Sequence, residues 1–153
     1  MSIKKIALVA HDHKKQDLLT WCTYNRSILA PHEFVGTGTT GQLIESALGF
    51  SVQKFNSGPL GGDQQIGAAI VEGDIDFLVF CWDPLEPMSH DPDITALLRL
   101  AVLCNIPTAC NVATADFIIS SPLFASDYQR AVPDFSAYRQ RALSLSDNLP
   151  PSD

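Results

Sequence analysis

The stretch "DFLVFCW", residues 76–82, decides the fold. After its leading acid the run is apolar at odd and even positions alike. A strand that read this way while facing water on one side would alternate; this one needs both faces buried. Parallel sheets with helices on both faces supply such burial, so the run predicts a strand inside an α/β sheet. Working outward, "IKKIALVA" (3–10) is a second β-rich run that stops abruptly at His11. Between and after these two lie segments of helical period. "KKQDLLTWCTYNRSIL" (14–29), "TTGQLIESALG" (39–49), "DQQIGAAIVEG" (63–73) and "DPDITALLRLAVLCN" (91–105) read as helices. "HEFVGTG" (32–38), "SVQKF" (51–55) and "IPTACNV" (106–112) read as strands, "TADFIIS" (114–120) as a short helix, and a last helix is expected near 134–145. Strand and helix alternate, which implies five strands in a mostly parallel central sheet joined by right-handed crossovers.

Composition sets the boundaries. The chain has 153 residues, 46% of them hydrophobic and 18% charged, enough for one packed domain. Residues 1–145 are read as that domain and 146–153, with two prolines, as a frayed tail. The net charge of −7 argues against nucleic acid and against an anionic membrane surface. A small anion stays possible, because local donors outweigh the global field at close range. Cys22, Cys81, Cys104 and Cys110 have no CxxC spacing and fall in or beside apolar runs, which fits buried reduced thiols. With a short N-terminal apolar run and no membrane-length segment, the expected location is the cytoplasm.

Ligands of such sheets bind outside the carboxyl ends of the strands. The text following the five runs is "AHDHKK", "GTGTTG", "NSGPLGGDQQ", "WDPLEPMSHDPD" and "NVATAD". Glycine, histidine and aspartate gather on this one rim. "TGTTG" (37–41) enters a helix, and free amides, hydroxyls and a positive dipole end suit a phosphate. An ordinary Thr cap with a Gly turn reads the same letters. "NSGP" (56–59) offers a second wall. "HDHKK" (11–15) has two readings. His11 and His13 on one side of an extended chain would suit a metal, with one Asp, as in a metal-dependent hydrolase. Alternatively, His11 and Lys15 are partners for an anionic substrate. In "SHDPD" (89–93) Asp91 or Asp93 reads as a cap or a first-turn acid, and His90 sits where a helix start favours neutral imidazole, able to polarise a carbonyl. Asp63 follows two glycines: it is either a plain N-cap or a base aimed at the ligand.

Together, "ALVAHDHKK", "GTGTTGQLI", "SGPLGGDQQIGAAI", "FCWDPL", "HDPDITALLRLA" and "IPTACNVATADFII" closely resemble methylglyoxal synthases, from about Ile3 to about Pro133. GGDQQ followed by HDPD in this order is the specific part. The resemblance implies a Rossmann-like three-layer domain assembled as a homohexamer. It implies a carbon–oxygen lyase, without metal or organic cofactor, that converts dihydroxyacetone phosphate through an enediolate to methylglyoxal and inorganic phosphate. The product phosphate is expected to inhibit. The resemblance places the catalytic base on Asp63 and a carbonyl contact on His90. Substrate and phosphate contacts fall on His11, Lys15, Thr37, Gly38, Thr39, Thr40, Ser57 and Gly58. Asp12, Asp91 and Asp93 match further acids of the family site. The tail departs from the family, which carries a C-terminal arginine reaching a neighbouring subunit's phosphate; Arg139 and Arg141 are the candidates here. The alternative is a regulatory module of the same fold that senses a phosphate ligand. It would need the phosphate loop but no base, and the pairing of Asp63 with His90 favours the enzyme.

Overall fold

The structure, a computed structural model, describes residues 2–87, 91–148 and 150. Five strands form one sheet: β1 (Lys5–Ala10), β2 (Glu33–Thr37), β3 (Val52–Phe55), β4 (Phe77–Cys81) and β5 (Thr108–Ala109). Their order is β3-β2-β1-β4-β5, and every neighbouring pair is parallel. The helices are α1 (Lys15–Tyr24), α2 (Arg26–Leu29), α3 (Gly38–Leu48), α4 (Gly62–Val71), α5 (Asp91–Leu103), α6 (Val112–Ser120) and α7 (Ser136–Asp147). This is the Rossmann-like α/β arrangement that the alternation predicts.

The apolar text of β4, and of β1 after Lys5, is explained by what each face meets. Ile6, Leu8, Phe77 and Val79 point to one side, where Leu18 and Trp21 of α1, Ile44 of α3 and Ile119 of α6 cover them. Ala7, Val9, Leu78 and Phe80 point to the other, under Ile66 and Ile70 of α4 and Ile94 and Leu97 of α5. Two cores thus sandwich one sheet, each built from alternate residues of the same strands.

Local differences from the sequence reading have local causes. The helix expected over 14–29 is interrupted at Asn25, whose side-chain amide donates to the Trp21 carbonyl at 2.9 Å, giving α1 and the short α2. The strand expected over 106–112 shrinks to Thr108–Ala109, because β5 is an edge strand paired only with β4. Asn111 then caps α6 through its side-chain oxygen, and the helix begins two residues earlier than read. The last helix runs from Ser136 to Asp147, past the expected domain end at 145. Among the described residues, no helix is long and apolar enough to cross a membrane.

The strand order reverses between β1 and β4, which leave the sheet side by side with their connections running to opposite faces. The gap above their carboxyl ends is where a crevice must open.

Candidate active site

A cleft of about 510 Å³ opens at that switch point. Its walls come from the exits of β1, β2, β3 and β4, and it draws together His11, Asp12, Lys15, Thr37, Gly38, Thr39, Thr40, Ser57, Gly58 and Asp63. Ten of the residues singled out from sequence therefore share one cavity. Asp91 and Asp93 open α5 as first-turn acids and do not line it. His90 lies outside the described residues.

His11 is the residue with which β1 leaves the sheet. Its backbone N–H donates to the Cys81 carbonyl, extending the ladder by one step, and its ring packs edge-on against Phe80 at 5.4 Å. The Asp83 amide donates to His11 Nδ1 at 2.9 Å. An N–H can donate only to a lone pair, so Nδ1 is unprotonated and the ring proton sits on Nε2. A buried, neutral imidazole with Nε2–H as donor is thus fixed by one backbone contact from β4's exit. Beyond His11 the chain tightens into a 3-10 turn, Asp12–Lys14, instead of staying extended. That separates the roles of the two histidines: His11 is buried on the cleft, whereas His13 is solvent-facing beside Asp83 and Glu86. Among the described residues the possible metal group is His13, Asp83 and Glu86, without His11, which is not the ligand set read from the sequence.

Lys15 begins α1 and reaches across the cleft floor. Its Nζ donates to Asp12 Oδ1 at 2.7 Å and to Thr39 Oγ1 at 2.5 Å. The Lys15 ammonium, by hydrogen bond and by charge, holds the Asp12 carboxyl below the usual carboxylate range. Thr37 is the N-cap of α3, yet its hydroxyl makes no capping bond. The amides of the first turn, which no helix can satisfy internally, are left facing the cleft with the positive end of the helix dipole behind them. Gly38 allows this: its φ is +52°, and a Cβ there would stand 3.0 Å from the Ser57 side chain. The β2-exit and β3-exit loops touch at that point and form one concave wall.

The "NSGPLGGDQQ" segment is a compact device for placing Asp63. Ser57 starts a 3-10 turn over Gly58–Leu60, and its carbonyl accepts from the amides of Leu60 (2.9 Å) and Gly62 (3.0 Å). Gln65, one turn into α4, accepts from the Asn56 amide at 2.8 Å and ties the helix to the strand exit. Gly62 lies so close to the Asn56 carbonyl that a Cβ would meet it at 1.9 Å. The cap of α4 is Gly61, with φ +99°, and not Asp63, which is the second helical residue. Asp63 is only 2% exposed, and its carboxylate lines the cleft at a helix N-terminus.

Two acids at or beside the cleft were not singled out from the sequence. Asp83 is buried just past β4, and Glu86 lines the cleft. Both stand in "WDPLEP", the rim text directly after the strongest strand, so the rim rule that selected "SHDPD" was the signal for them too.

A model of the MGS-like domain matches residues 17–110. A methylglyoxal synthase of Cellvibrio japonicus is 57% identical over 138 residues, 90% of either chain. Another, of Coxiella burnetii, is 54% identical over 143 residues, 94% of this chain and all of its own. The chain belongs to the methylglyoxal synthase family. The family's lyases share its architecture too: the crystal structure of methylglyoxal synthase from Elizabethkingia anophelis superposes with a TM-score of 0.85 at 49% identity, over 98% of this chain and 95% of that one.

Proposed function

We propose that this protein eliminates phosphate from dihydroxyacetone phosphate to give methylglyoxal and inorganic phosphate. The observation that carries the reading is the convergence, in one cleft, of a buried carboxylate, a neutral imidazole donor and a helix-start anion cradle. Asp63 removes a proton from the hydroxymethyl carbon, and the electron pair moves onto the carbonyl oxygen, giving an enediolate. The Nε2–H of His11 donates to a substrate oxygen, with His90 expected at the carbonyl. The enediolate pair then expels phosphate by breaking the carbon–oxygen bond, and the enol left behind ketonises to methylglyoxal. Lys15, Ser57, Gly58 and the Thr37–Thr40 segment hold the phosphoryl group. We infer that this clamp keeps the breaking bond out of the enediolate plane, so that elimination outruns isomerisation.

On this reading the reaction needs no metal or organic cofactor, and phosphate, being a product that fits the cradle, competes with substrate. Residues 1–145 act as one domain. The exposed apolar side chains of α7, Tyr138, Leu143 and Leu145, fit an assembly of copies such as the homohexamer, with Arg139 or Arg141 of the same helix near a neighbour. The four cysteines are unpaired, and burial pushes the Cys22 and Cys81 thiols up to about 12 and about 11, as suits a reducing cytoplasm. A regulatory module that only senses phosphate has no use for a buried carboxylate opposite the cradle.

The test is direct: incubate the protein with dihydroxyacetone phosphate and measure methylglyoxal and phosphate. Wild type should make both in equal amounts. Asp63→Asn should fold and lose turnover by roughly two orders of magnitude or more. Near-normal turnover in that variant removes Asp63 as the base, and no methylglyoxal from wild type overturns the function.

A further inference from the structure

We propose that His13, Asp83 and Glu86 form a binding site for a divalent transition-metal ion at the mouth of the cleft. His13 lies on the 3-10 turn after β1; Asp83 and Glu86 lie on the loop after β4. These are the two adjacent strands of the switch point, so the three side chains meet across the gap.

The spacing is that of ligands sharing one ion. His13 Nδ1 stands 3.4 Å from Asp83 Oδ2 and 3.8 Å from Glu86 Oε2, and the three atoms lie within 4.8 Å of one another. Ligand atoms each bound at ~2.1 Å with tetrahedral angles are about 3.4 Å apart. The surroundings point the same way. The Asp83 side chain is 8% exposed; the Glu86 side chain is 35% exposed, but its Oε2 is cut off from solvent and accepts no hydrogen bond from the described residues. Two carboxylates held this close repel unless a cation lies between them. One imidazole, neutral or singly charged, offsets that less completely than a divalent ion. His13 is 74% exposed, which leaves the outer side open for water as a further ligand. One nitrogen and two carboxylate oxygens suit Zn²⁺, Co²⁺ or Mn²⁺ better than Mg²⁺ or Ca²⁺, which prefer all-oxygen sets.

The site is distinct from the reacting atoms but touches their walls. The Asp83 amide fixes the His11 tautomer, and Glu86 lines the cleft. An ion here pins the β1 and β4 exits together and cancels carboxylate charge facing the substrate. The consequence for catalysis, though not the site itself, rests on the reading that the substrate is a phosphate anion: KM should fall several-fold on metal saturation.

The experiment uses the full chain after chelator treatment. Co²⁺ titration followed by visible absorption, and Zn²⁺ titration by calorimetry, should show one ion per chain, with Mg²⁺ far weaker. His13→Gln and Glu86→Gln should each weaken binding at least about tenfold. His13→Gln should keep the metal-free turnover of wild type while losing the KM response to Zn²⁺. Absence of Co²⁺ and Zn²⁺ binding, or binding that survives both substitutions, overturns the site. An unchanged KM with binding intact overturns its coupling to the cleft. Metal bound as expected in a protein that makes no methylglyoxal leaves the site standing and rejects the function instead.

Discussion

Gly62→Ala should damage turnover far more than folding. A Cβ at this position would stand 1.9 Å from the Asn56 carbonyl oxygen and 2.8 and 3.0 Å from the carbonyl carbons of Asn56 and Ser57. All three are main-chain atoms, so no side chain can swing aside. Ordinary contact begins at 3.4 Å, so the start of α4 and the Asn56–Ser57 segment must separate by about 1.5 Å. The next residue is Asp63, and the facing segment carries Ser57 and Gly58 of the phosphate wall. The base and the clamp are therefore pushed apart along the direction that matters. A displacement of about 1 Å can cost ~100-fold in rate, and a lost Gly62–Ser57 hydrogen bond adds to it. Overpacking of this kind costs about 1–3 kcal/mol of stability, which a domain with two continuous cores should survive. The assay is phosphate release from dihydroxyacetone phosphate beside thermal melting by circular dichroism. Gly49→Ala is the control. It caps α3 with φ +74° and has nothing within 4 Å of the new Cβ, so it should lower the melting point and leave turnover alone. A Gly62→Ala protein that melts lower but turns over at the wild-type rate would refute the argument that this backbone contact aims Asp63.

Two further outcomes follow from single side chains. Lys15→Met should raise KM at least about tenfold with a smaller change in kcat, because a charge-assisted contact to phosphate is lost in ground and transition states alike; steady-state kinetics checks the split. His32 supplies an acid-sensitive element: burial first, then Lys4, lowers its pKa, and its Nδ1 accepts from the Lys4 amide at 3.0 Å. Since the folded value is depressed below the ordinary histidine value of 6.5, the unfolded chain binds the proton first, and stability falls as pH drops through the window just below that value. Urea unfolding at neutral and mildly acidic pH should show that loss in wild type and a smaller one in His32→Asn.

The architecture was readable because its signal is local. Parallel strands buried on both faces are apolar at nearly every position, and "DFLVFCW" after Asp76 and "IKKIALVA" after Lys5 carry that signal at strand length. The rim was readable for the same reason: glycine, histidine and aspartate cluster where each strand ends. Edges were less legible. The β5 run shortened because pairing on one side only holds few residues, and Asn25 broke a periodic helix through a side-chain bond that periodicity does not encode.

The identity of the rim residues and the family they belong to were determined by the sequence alone, since both are matters of which letters stand in which order. Which of those residues meet was decided by the tertiary structure. Strand order put β1 beside β4, and only that adjacency lets the Asp83 amide set the tautomer of His11 or brings His13 to Asp83 and Glu86. The sequence left Asp63 open between a cap and a base, and the resemblance put the base there; the fold gave capping to Gly61 and buried the carboxylate in the cleft. The physical reason is the same in each case: these contacts join residues far apart in the chain, and their geometry is fixed by how the sheet is wound.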